Sequence, residues 1–196
     1  MKNILLCVIG ITPQIITETL YALYKNNPPV LIDELFIITT SKGAECIKET
    51  IIKENILEQF TKDYAVPKIK FNSENIIVIK SQEGKELSDI RSTKDNESTG
   101  NIITDVVRRL TEETDSVLHC SIAGGRKTMG YYLGSALQMY GRAQDKLYHV
   151  LVNEQFENNP QFFYPPPLPQ NLKIKDKDGK VRTISTDEAK IELAEL

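Results

Sequence analysis

No apolar run in this 196-residue chain approaches membrane-spanning length, so no transmembrane helix is expected. The opening MKNILLCVIG has too short an apolar run and no small-residue cleavage site, and it reads as a first strand rather than a signal peptide. An excess of positive charge is missing as well. The net charge of -3 argues against a surface coated in cations for long nucleic acid, so any anion site must be local. Cys7, Cys46 and Cys120 include no C-x-x-C pair, which speaks against a redox or zinc motif and for reduced thiols in a cytoplasmic protein. His119 and His149 lie in strand-like runs, where a packed or edge histidine is more common than a ligand, and the acid and cysteine spacing of a metal site is missing, so neither a metal site nor a cofactor is expected. Internal repeats and low-complexity tracts are absent.

What is present is an alternation. Apolar, β-branched runs at residues 3–10, 34–40, 75–80, 115–123 and 146–152 are separated by stretches with a 3.6-residue apolar period at 13–26, 42–61, 98–113 and 127–141. That order predicts an α/β fold, a mainly parallel sheet flanked by helices, in which ligands gather outside the carboxyl ends of the strands. Residues 1–152 are expected to form the ligand-binding unit. Residues 153–196 are expected to pack on it as a proline-rich loop, a small hairpin around Asp178-Gly179 and a terminal extension. The ending STDEAKIELAEL has a capping-box start, Ser185 with Glu188, and then stops, as a piece of something longer would. Residues 80–100 are polar and read as a solvated connector or as a lid.

Two strand-to-helix turns carry the candidate chemistry. In Gly10-Ile11-Thr12-Pro13-Gln14, Thr12 suits an N-cap and Pro13 a first helical turn, but the same helix start offers N–H groups and a hydroxyl to a phosphate. Both roles stay open. In SIAGGRKTMG, residues 121–130, Gly124 and Gly125 permit close backbone approach beside Arg126 and Lys127. Arg126 stands where the P-loop G-x-x-x-x-G-K-S/T needs its second glycine, and neither turn matches G-x-G-x-x-G, so the two familiar nucleotide loops are rejected. A tight turn with two solvated cations remains the plain alternative. Ser88-Asp89-Ile90-Arg91 matters only if the polar segment folds over the strand ends. No G-x-S-x-G elbow makes Ser121 a nucleophile. Arg142 and His149 match the Arg-x6-His spacing of HEPN ribonucleases, a helical motif that does not fit a strand-like run.

Taken in order, GITPQIITETLYAL, ELFIITTSKGA, LSDIRSTKDNE, LHCSIAGGRKTMGYYLG and GRAQDKLYHVLVNEQFENNPQFFYPP resemble the CRISPR-associated Rossmann-fold (CARF) proteins, over residues 3–167. The resemblance implies a homodimer whose two-fold axis passes through a pocket for cyclic oligoadenylate, the messenger of type III CRISPR systems. A ring of four adenylates matches that symmetry. It further implies a ring nuclease in which the adenosine 2′-OH attacks its own phosphodiester, with no metal, Lys127 stabilising charge, Arg126 in support and Thr12 orienting the scissile group. Gly10, Ile11, Pro13, Gln14, Thr40, Ser41, Asp89, Arg91, Ser121, Ala123, Gly124, Gly125 and Thr128 are the implied ligand-binding residues. The alternatives are a non-catalytic sensor for an effector beyond residue 196, and an ordinary nucleotide enzyme on a similar sheet. Neither a membrane nor long nucleic acid is an implied partner.

Overall fold

The computed structural model describes residues 1–157, 159–175 and 179–196. The chain alternates β1 (Lys2–Val8), α1 (Gln14–Tyr24), β2 (Glu34–Thr39), α2 (Ser41–Ile47), α3 (Ile56–Asp63), β3 (Ile76–Val78), α4 (Thr93–Thr111), β4 (Ser116–Ser121), α5 (Lys127–Tyr140) and β5 (Lys146–Val152). It then adds a hairpin, β6 (Asn171–Lys175) with β7 (Val181–Ser185), and a last strand, β8 (Ile191–Glu195). The main sheet runs β3-β2-β1-β4-β5-β8, parallel except for β8, which lies antiparallel to β5. This is the expected Rossmann-like α/β sheet with helices on both faces, and the strand order reverses between β1 and β4.

A central parallel strand is covered on both faces and must be apolar throughout. The β1 run from Ile4 to Ile9 is accordingly fully buried, and each such side chain contributes about 1.5–3 kcal/mol. Leu5, Cys7 and Ile9 pack with Ile16, Leu20 and Leu23 of α1, while Ile4, Leu6 and Val8 face Ile103 and Val107 of α4 and Leu133 of α5. The proline-rich segment is held down by aromatic contacts and hydrogen bonds. Tyr164 stands edge-on to Phe60 and donates its hydroxyl to Asp63 at 2.8 Å, and the Tyr64 hydroxyl donates to the Pro165 carbonyl. Phe156 and Phe162 close a third cluster with Leu172 and Ile184 of the hairpin. Among the described residues, no helix is long and apolar enough to cross a membrane.

Several sequence expectations are corrected. The helix expected over 42–61 is two helices joined by a π-helical turn, Lys48–Ile52, and by Asn55 in the left-handed region at φ 54°. The wider turn and the asparagine let the apolar period run on while the helix breaks. Helix α4 starts at Thr93, five residues before its expected start at 98, so part of the polar 80–100 segment is helical. A capping box sets that start: Asp95 N–H donates to Ser92 Oγ at 3.1 Å and Ser92 N–H donates to Asp95 Oδ2 at 3.0 Å. The terminal segment keeps its capping box at Ser185 and Glu188 but continues as strand β8, because Leu193 packs into the core beside α1 and the backbone pairs with β5. The expected hairpin forms between β6 and β7; Gly179 has φ 78°, and Asp178 lies outside the described residues.

Arg142 has a structural role. Its guanidinium donates to Asp145 at 2.8–2.9 Å, and Asp145 also accepts the N–H of Leu118 in β4 at 2.8 Å. The Asp145 side chain is 1% exposed. Asp145→Ala takes the carboxylate from the guanidinium, which keeps only the Glu113 carbonyl and the Ser116 hydroxyl, and takes the acceptor from the Leu118 N–H, and it should cost about 3–5 kcal/mol of stability in urea denaturation.

Candidate functional site

Adjacent parallel strands that end at the same level bring their following turns together. With Cys7 of β1 opposite Ser121 of β4, the Gly10 turn and the Gly124-Gly125 turn emerge side by side. A methyl group built on Gly10 would lie 3.4 Å from the Gly125 Cα, so the two backbones are in contact. Gly125 has φ 74°, a region open to glycine, and a side chain there would meet the Met129 sulfur at 2.7 Å. A side chain at Gly124 would strike the Val8 carbonyl at 2.7 Å. Both glycines are therefore required by geometry.

These turns line a cleft of about 570 Å³ at the point where the strand order reverses. Of the residues singled out from the sequence, Gly10, Ile11, Thr12, Thr40, Asp89, Ala123, Gly124, Gly125 and Arg126 line it. Pro13, Gln14, Ser41, Arg91, Ser121, Lys127 and Thr128 do not, although each adjoins a lining residue or lies within two of one. Gln14 is buried and donates toward the Pro160 carbonyl at 3.4 Å. The Ser121 hydroxyl lies 3.3 Å from that of Thr19, in the core. Lys127 is exposed at the first residue of α5, with no ion pair among the described residues.

Thr12 does not cap α1. Pro13 occupies the N-cap position, and the Thr12 hydroxyl makes no hydrogen bond among the described residues. The proline ring already fixes the backbone that a cap would hold, which leaves the hydroxyl for another partner. Thr40 does cap, accepting from the Gly43 N–H at 3.4 Å. Among the described residues, the backbone N–H groups of Gly10, Gly124, Gly125, Lys127 and Thr128 also find no acceptor. Unpaired amides at helix starts, beside cations, suit a phosphate.

The polar segment does fold over the strand ends. Leu87 N–H donates to Ile79 and Ser41 N–H to Leu87, which pins the chain beside α2. From there Asp89 accepts two bonds from Arg126, at 2.6 and 3.1 Å, and one from Arg91 at 3.0 Å. The guanidinium of Arg126 first, and that of Arg91 next, holds the Asp89 carboxyl well below the usual carboxylate range. Arg126 is thus engaged by Asp89 and acts as a clamp between the segment and α5.

Sequence reading missed Lys42, Glu18, His149 and Glu157, all of which line the cleft. Lys42 follows the flagged Thr40 and Ser41 directly, and that adjacency was the available signal. Glu18 gave none, because one acid in an amphipathic helix reads as solvated. It is 5% exposed, and burial first, then the charge of Glu157, pushes its carboxyl up to about 7. His119 is packed, 3.1 Å from Asn3 Oδ1 and 3.4 Å from the Tyr148 hydroxyl, and burial lowers it to about 4. Among the described residues, no three His, Cys, Asp or Glu side chains are grouped to hold a metal ion.

A model of the CRISPR-associated protein NE0113 family matches residues 12–196, which take in the end of the first turn, the whole of the second and the β8 strand. The chain belongs to that family. Its place there gives it a CRISPR-related role. No curated protein matches the chain. Among solved structures, it is similar to a putative UDP-N-acetylglucosamine 2-epimerase from Listeria monocytogenes at 16% identity and a TM-score of 0.38, over 76% of this chain and 31% of that one. That likeness is too slight to bear on fold or activity, and this chain spans less than a third of that protein's length.

Glu18 makes stability depend on pH with a definite sign. A carboxyl raised from its ordinary value near 4.5 to about 7 binds its proton more tightly in the folded chain, so stability falls as pH rises between those values and then levels. The depressed His119 acts oppositely, removing stability as pH falls from 6.5 toward 4. The Glu18 contribution is therefore read as a difference. Relative to Glu18→Gln, the unsubstituted protein should lose on the order of 3 kcal/mol between pH 4.5 and 7.5 in urea denaturation.

Proposed function

We propose that this member of a CRISPR-associated family binds a cyclic oligoadenylate, cyclic tetra-adenylate first, across the two-fold axis of a homodimer and cleaves it. One observation carries the reading: two glycine turns with unpaired backbone N–H groups line a single cleft at the point where the strand order reverses. A ring of phosphates needs several such donors, and a dimer doubles them in matching positions. Ile11 at the cleft and Tyr131 on α5 are 73% and 71% exposed, apolar surface of the kind a second copy would cover.

Cleavage needs no nucleophile from the protein. The ribose 2′-oxygen forms a bond to the adjacent phosphorus, the bond to the 5′-oxygen breaks, and that oxygen takes a proton. The products are linear, with a 2′,3′-cyclic phosphate and a 5′-OH. The chain's share is to align ribose and phosphate and to neutralise charge on the phosphorane. The free Thr12 hydroxyl orients the scissile group, the turn amides and Lys127 meet the charge, and Arg126 holds Asp89 and its segment over the cleft. Loss of the messenger would switch off type III CRISPR signalling.

A second reading, a binding module that controls an effector without cutting, has one observation in its favour: Lys127 does not line the cleft of a single chain. Incubation with cyclic tri-, tetra- and hexa-adenylate in EDTA, followed by mass spectrometry, separates the two. Linear products support the nuclease, tight binding of intact rings supports the module, and no binding removes both. In the nuclease reading Lys127→Ala slows turnover roughly 100- to 1000-fold. Unchanged turnover takes Lys127 out of the chemistry.

A further inference from the structure

We infer that Glu18 is the residue that reads the base, its carboxyl group pairing with the edge of adenine that carries the N6 amino group beside a ring nitrogen. The inference rests on the cyclic oligoadenylate reading and names what recognises adenine within it.

Three observations lead there. First, the cleft has two unlike ends. The amide-rich turns, Arg126, and Lys42 beside a glycine packed on the Gly10 carbonyl line one, while Val150 and Val152, on the face of β5 whose Tyr148 packs with α1, contribute apolar surface on the side of the helix that carries Glu18. A phosphate suits the first end and a flat base the second. Second, the spacing fits one nucleotide. The Ile15 side chain lies 3.3 Å from the Cβ position of Gly124, and Glu18 follows three residues later on α1, about 4.5 Å along the axis. A phosphate held at Gly124-Gly125 therefore carries its ribose and base toward Glu18. Third, Glu18 lines the cleft while 5% exposed, and among the described residues it has neither a hydrogen bond nor an ion pair. A buried carboxyl without a partner opposes folding, and such groups concentrate where a ligand supplies the partner.

The surroundings select the form of the acid. Glu157, on the loop after β5, is the charge that acts on Glu18, and it is of like sign. His149 of β5 lines the same cleft, whereas β8 turns Leu193 toward α1 and pairs Glu192 with Leu151 on the other side. Lys42, Arg126 and Asp89 belong to the phosphate end. Among the described residues no cation pairs with Glu18, and it keeps its proton to about pH 7. A protonated carboxyl offers an O–H donor beside a carbonyl acceptor, matching the ring nitrogen and amino group of adenine. An ionised carboxylate only accepts, and it would face the adenine ring nitrogen with a negative charge.

The test is the affinity for cyclic tetra-adenylate bearing 2′-fluoro sugars, which lacks the attacking hydroxyl, measured by calorimetry at pH 6.0 and 8.5. The unsubstituted protein should bind at least tenfold more weakly at pH 8.5. Glu18→Gln keeps one donor and one acceptor and should bind tightly at both values. Glu18→Ala should be at least tenfold weaker than the unsubstituted protein at pH 6.0. Equal affinity of the unsubstituted protein at both values overturns the inference. So does a pH dependence that survives in Glu18→Gln. If Glu18→Ala does not fold, the unsubstituted protein and Glu18→Gln decide the matter between them. Failure of every protein to bind the native ring at pH 6.0 would instead remove the oligoadenylate reading.

Discussion

The parallel pairing of β1 with β4 is the constraint from which the candidate site follows. Each strand hands over to a helix through a glycine turn, and only their adjacency lets the Gly10 and Gly125 backbones touch. That contact needs two apolar strands buried on both faces, so the same burial that stabilises the sheet also sets the geometry of the cleft. Helices α1 and α5 then start at the cleft, and their first amides have no intrahelical acceptor. Any doubly wound sheet leaves such a crevice. This chain lines it with glycine, threonine, lysine and arginine in place of the glycine pattern of dinucleotide enzymes.

Two carboxyls at the cleft have opposite electrostatic fates. Asp89 sits at the surface between two guanidinium groups and is held firmly ionised. Glu18 is buried, with the like charge of Glu157 acting on it, and it keeps its proton to about pH 7. The first arrangement ties a polar segment to α5 across the cleft. The second places a hydrogen-bond donor where an ionised acid would offer none.

The architecture was legible because periodicity is local. Alternating strands and helices named the sheet, and SIAGGRKTMG marked a close-approach turn that Gly125 confirms at φ 74°. The errors arose where two local signals compete. A π turn and a left-handed asparagine broke an otherwise periodic helix, and the Ser92-Asp95 box began a helix inside a polar run. The last strand read as the start of a helix, because its strand character depends on a free edge of β5 about forty residues earlier.

The amino-acid sequence by itself determined the fold class and the two turns, since each depends on residues close together in the chain. Tertiary structure alone decided that the turns share one cleft, that Arg126 is engaged by Asp89, that Lys42 enters the lining and Lys127 does not, and that Glu18 is buried without a partner among the described residues. Those facts depend on which strands lie side by side and on how far each side chain is removed from water. Both are properties of contacts between residues tens to more than a hundred positions apart.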